Sequence, residues 1–144
     1  MGYTHYWTIK RPLTKKVWRA IMSDTRKLLA ATVLPLAAEF NTPDEKPIVS
    51  AELIRFNGIG AEGHETFMLS RHKVEFEFCK TNQKPYDVIV CAVLIVAAHH
   101  AGKAIDVSSD GDAMDWAAAL GFARQVLGAE LMLPAKVCKR EESK

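Results

Sequence analysis

Lys80, Thr81, Asn82 and Lys84 precede a long apolar run, and that succession of residue types suits anion chemistry. Two ammonium groups flank a hydroxyl and an amide where a helix would begin, and a helix start presents free N–H groups and positive dipole. A phosphate held by these residues, with Tyr86 beside it, is the functional expectation. The plainer alternative has Thr81 or Asn82 capping the helix while both lysines point into water. A second group lies in YTHYW, where period two puts Tyr3, His5 and Trp7 on one side of a strand. Three rings in that row can stack on a planar base, or else pack against a core.

Two further groups are weaker. His64 and Glu65 leave a glycine-rich stretch that opens at Asn57. On a strand they face opposite ways, so each would reach a ligand alone rather than work as an acid/base pair. In SSDGDAMD, Ser109 and Asp110 sit at an expected helix start, but Asp110, Asp112 and Asp115 together repel an anion, and capping explains most of the pattern. The spacing departs from an EF-hand loop, and His99 and His100 diverge by about 100° on a helix. No metal site and no cofactor is expected.

Phe56–Phe67 reads FNGIGAEGHETF and contains GxGxxG, the dinucleotide fingerprint. That motif acts only between a buried strand and a helix. Here Glu52 and Arg55 stand in the lead-in, and the glycines give way to HETFMLSR and then to VEFEF, which alternates at period two. The glycines are therefore expected to shape a hairpin loop, not to cradle a pyrophosphate.

Around these groups, elements of both kinds are expected. A strand covers Tyr3 to Ile9, and Thr14 caps a helix whose Trp18, Ile21, Thr25, Leu28 and Thr32 recur at three or four residues, with Leu29, Val33 and Leu36 widening the stripe until Pro35 kinks or ends it. ELIRF and VEFEF are strands, Val88 to Val96 is the centre of a buried helix, and AIDV is a strand. A third helix carries Trp116, Leu120, Ala123 and Leu127 and stops at Gly128, with a short last strand at Leu131 to Leu133. The expected fold is α+β: a mixed or antiparallel sheet of about five strands with three helices, in one domain over 1–134 with a polar tail over 135–144.

With 49% hydrophobic and 25% charged residues in 144, the composition is that of a globular domain. A net charge of +2 argues against polymeric nucleic acid as partner, and the apolar runs are too short for a bilayer span. Cys79, Cys91 and Cys138 form neither a disulfide framework nor a zinc pattern, which fits a reducing cytoplasm.

The opening MGYTHYW, with CKTNQKPYD over Cys79–Asp87 and VSSDG over Val107–Gly111, resembles a group of small uncharacterised bacteriophage and bacterial proteins over most of the chain. The resemblance implies a phage context, with the host cytoplasm as location, and no activity or catalytic residue. By analogy of role, it suggests a viral sponge that sequesters a host nucleotide immune signal. The leading expectation is thus a binding protein for a small phosphorylated, nucleotide-like ligand, compatible with a homo-oligomer. The alternatives are a hydrolase or phosphodiesterase acting on such a ligand, and an interaction module with an uncovered apolar face and no small ligand.

Overall fold

A computed structural model describes residues 2–138, Cys138 for its backbone only. The elements run β1 (Thr4–Ile9), α1 (Lys15–Ala31), β2 (Leu36–Ala37), β3 (Ile48–Val49), β4 (Leu53–Gly58), β5 (Phe67–Ser70), β6 (Val74–Lys80), α2 (Asp87–Ala101), β7 (Ile105–Ser109), α3 (Ala117–Leu127) and α4 (Ala135–Cys138). The fold is α+β with antiparallel pairing throughout, as expected in class but richer in strands. β6, β1 and β7 form one sheet in that order; in the second, β4 pairs with β2, β3 and β5, with β3 and β5 on its opposite sides.

α1 begins where Thr14 Oγ1 accepts from the Val17 N–H at 3.2 Å, and it buries Trp18, Ile21, Thr25 and Leu28 at helical spacing. α2 has no polar residue between Asp87 and His99, and Ile89 through Ala97 are all buried. With the 3-10 turn that follows it, Asp87–Ala104 is longer than the expected apolar run and by length and composition could cross a bilayer, but here α2 is the core helix, packed against α1, α3 and β7. β1 alternates strictly: His5, Trp7 and Ile9 face this core, while Thr4, Tyr6 and Thr8 face outward.

Three expectations change. Leu131–Leu133 forms no strand, and residues 135–138, expected as tail, form α4 with Val137 buried beside β7. Between β4 and β5 the chain makes a 3-10 turn over Gly60–Glu62 with no helix behind it, so the dinucleotide fingerprint lacks its context, as expected. Asp110 does not cap α3. Its carboxylate instead accepts from the Thr4 N–H at 2.9 Å and the Tyr6 hydroxyl at 3.0 Å, tying the end of β7 to β1.

Candidate functional site

The core face of β1 carries a closed polar knot. Register sets Ser109 of β7 directly opposite His5, and the first turn of α2 brings Asp87 with Cys91 one turn further on. His5 Nε2 lies 2.7 Å from Asp87 Oδ1, His5 Nδ1 lies 2.8 Å from Ser109 Oγ, and the Thr81 hydroxyl donates to the same Oδ1. Cys91 Sγ donates to Asp87 Oδ2 at 3.7 Å. The rings of Tyr3 and Trp116 close over the imidazole edge-on, at 5.2 and 5.1 Å.

The donor count assigns the protons. Ser109 Oγ accepts from the Gly111 N–H at 2.8 Å and from Trp116 Nε1–H at 3.1 Å, which fills both lone pairs. Its own hydrogen therefore goes to His5 Nδ1, and the imidazole proton sits on Nε2, aimed at Asp87. Burial, and then the Asp87 carboxylate, push the Cys91 thiol well above its ordinary range.

Two chemistries are tempting here and both meet the same obstacle. Ligand atoms of His5, Asp87 and Cys91 lie within 4.8 Å of one another, a donor set suited to a transition metal. Binding through Nε2 would move the proton to Nδ1 and ask Ser109 Oγ to accept a third N–H. Ser109, His5 and Asp87 also follow the order of a hydrolytic triad. The lone pairs with which Ser109 would attack are occupied, and His5 is 0% exposed. The knot is built to hold β1, β7, α2 and the 81–84 turn together.

The residues expected to bind ligand are largely neighbours, but many serve as scaffold. Asn57 is buried and organises its loop, donating to the His64 carbonyl and accepting from the Gly58 and His64 N–H groups. Glu65 accepts from the Lys80 N–H at 2.8 Å through its carboxylate, and its carbonyl receives the buried Tyr86 hydroxyl. Thr81 is wholly buried. Stacking by His5 or Trp7 is overturned, because the face they share is the core face and Trp7 is 2% exposed; Tyr3 is half-buried against Gly111.

The start of α2 brings an acidic side chain and several engaged N–H groups to the expected anion site. The Asp87 N–H is taken by the Lys84 carbonyl, those of Ile89 and Val90 by the Tyr86 carbonyl, and the Asp87 carboxylate fills the first turn. Asn82 and Gln83, both at φ 56°, make the tight turn that aims Thr81 inward; Lys84 belongs to that turn and not to a ligand cradle.

The surface that sequence reasoning missed lies on the other side of the sheet. Phe76 (62% exposed) and Phe78 (48% exposed) point outward from β6, and Tyr6 lies across from them on β1, with the Tyr6 and Phe76 rings stacked at 5.9 Å and 27°. Lys80 continues the same face and reaches over Gly2. At the opposite end, a hollow of about 180 Å³ beside Tyr6 and Phe76 adjoins a cleft of about 430 Å³ whose rim carries Lys10, His99, Lys103 and Lys136. The two share Asp106, Val107 and Lys136. Asp106 pairs with Lys136 at 3.2 Å and with Lys10 at 3.9 Å, and Lys103 has no carboxylate partner among the described residues.

No protein-family model, no curated protein and no solved structure matches this chain.

Proposed function

We propose that the chain is a binding protein for a small nucleotide-like anion, taken on the outer face of the three-stranded sheet. The carrying observation is adjacency: Tyr6, Phe76 and Phe78 form an aromatic surface on this face, and the hollow beside Tyr6 and Phe76 shares Asp106, Val107 and Lys136 with a cleft rimmed by Lys10, Lys103 and Lys136. A base stacks on the aromatic rings at about 1 to 3 kcal/mol per base, and phosphate oxygens meet the lysines. Asp106, between the two regions, is placed to accept from a ribose hydroxyl. Ser109, Asp110 and the His5 knot then act as scaffold, and the protein sequesters rather than transforms its ligand. In a phage context that is the role of a sponge in the host cytoplasm, where the buried thiols of Cys79 and Cys91 stay free.

The same exposed phenylalanines favour one second reading, an interaction module that covers this face with a partner protein. Calorimetry with cyclic and linear mono- and oligonucleotides separates the two. Binding that Phe76→Ala and Lys103→Gln each weaken, with the fold retained, supports the nucleotide reading. No binding of any nucleotide at about millimolar concentration, a free energy near −4 kcal/mol, removes it and leaves the interaction module first.

A further inference from the structure

Away from the sheet face, α1 carries a row of its own. Lys15, Arg19, Met22, Arg26 and Leu29 recur three or four residues apart and so share one side of the helix. Two hollows open along that side: one of about 320 Å³, which Lys15, Arg19 and Arg71 line, and one of about 530 Å³, which Arg26 and Lys46 line. Met22 contributes an apolar wall to the first, and Leu29, Leu36 and Val49 do so in the second. Among the described residues, neither hollow has an Asp or Glu in its lining.

The charges are unspent. Among the described residues none of these five cations makes an ion pair; Arg26 and Arg71 reach only backbone carbonyls, of Val49 and Leu13. Glu52, beside the first hollow in sequence, is held by His72 at 2.6 Å. Lys15 and Lys16 also open α1, whose first turn has no acidic residue, so they sit at the positive end of the helix dipole where cations are disfavoured. The fold gains no ion pair from this arrangement, but an incoming anionic partner would. The apolar walls between the cations, with Trp18 buried and no exposed aromatic ring among the lining residues, suit aliphatic side chains better than nucleobases.

We propose that this face of α1, with the two hollows along it, docks an acidic, apolar-punctuated segment of a partner protein. From Lys15 to Arg26 the row spans about 17 Å, the length of three turns of a partner helix. Glutamates or aspartates would face the five cations, and leucine-like side chains would enter beside Met22 and Leu29.

The test uses the full chain and three fluorescent probes: a synthetic helix of about fourteen residues with Glu on one face and Leu at helical spacing, an oligoglutamate of equal length, and single-stranded oligothymidylate. The acidic helix should bind, oligoglutamate should bind about tenfold more weakly, and Arg19→Glu with Arg26→Glu should reduce helix binding by about tenfold or more. Lys46→Gln, which lies outside α1, should cost about threefold and guards against a folding defect, which circular dichroism would show in the charge-reversed variant. Failure of the helix to bind at about 100 µM, undiminished binding by the folded charge-reversed variant, or tighter binding of oligothymidylate than of the helix would each overturn the proposal.

Discussion

His5 Nε2 and Asp87 Oδ1 lie 2.7 Å apart inside the fold, and the hydrogen bonds around them favour one tautomer. With Ser109 Oγ already accepting from Gly111 and Trp116, the imidazole proton belongs on Nε2. Nitrogen-15 correlation spectra of the native protein should show the Nε2–H form, with Nδ1 as acceptor. Ser109→Ala removes the donor to Nδ1 and leaves the Gly111 and Trp116 N–H groups without their acceptor, so it should cost about 1 to 3 kcal/mol in urea unfolding. A spectrum with the proton on Nδ1 would reopen the metal reading of His5, Asp87 and Cys91.

Burial pushes the Cys79 thiol from its ordinary 9.0 up to about 12, and the thiol of Cys91 and the phenols of Tyr3 and Tyr86 shift the same way for the same leading reason. Above the ordinary thiol range the unfolded chain gives up a proton that the native chain keeps, so the unfolded state binds fewer protons and stability falls as pH rises. These groups contribute their full stability below about pH 9, and it should drain away between about pH 9 and 12. Urea midpoints across that range should decline, and Cys79→Ala should shallow the early part of the decline. A flat profile up to about pH 10.5 would count against the buried placement of both thiols.

Gly58 and Gly60 should respond differently to substitution. A Cβ on Gly58 would run into the Glu62 carbonyl oxygen and the Gly63 Cα, both backbone, whereas a Cβ on Gly60 meets nothing but sits at φ 59°. Gly60→Asn should therefore cost less than about 1 kcal/mol, because Asn tolerates the left-handed region. Gly58→Ala forces the loop itself to move and should cost about 2 kcal/mol or more. Equal thermal shifts for the two would mean that the loop is not packed as described.

Particular residues explain why part of this fold is legible in the sequence and part is not. The apolar run of α2 and the alternation of β1 and β6 are local patterns, so element type can be read directly. The partners of His5 cannot, since Ser109 and Asp87 are 104 and 82 positions away and meet it only through register and helix placement. In VEFEF the alternation is plain but its sense is not: charged residues usually face water, yet here Phe76 and Phe78 do as well as Glu75, because β6 is an edge strand whose main contacts are with β1 and not with a helix. The expectation of stacking by Tyr3, His5 and Trp7 has the same blindness. Period two tells which residues share a face and says nothing of which face is covered.

That difference between faces makes the last prediction. Trp7 and Phe76 lie on adjacent strands of one sheet, one inside and one outside, so stability and binding should separate between them. Trp7→Ala opens a cavity beside Phe67, whose ring centroid lies 5.4 Å from that of Trp7, and should cost about 3 to 5 kcal/mol. Phe76→Ser removes exposed surface and should change stability by less than about 0.5 kcal/mol. For nucleotide binding the order reverses: Phe76→Ser should lose about 1 to 3 kcal/mol of stacking, and the loss should persist as salt is raised. Lys103→Gln should weaken binding at low ionic strength and matter progressively less above about 0.15 M, where exposed charges are screened beyond roughly 8 Å. If Phe76→Ser binds nucleotide as well as the wild type, the outer face is not the site, whatever Lys103→Gln does.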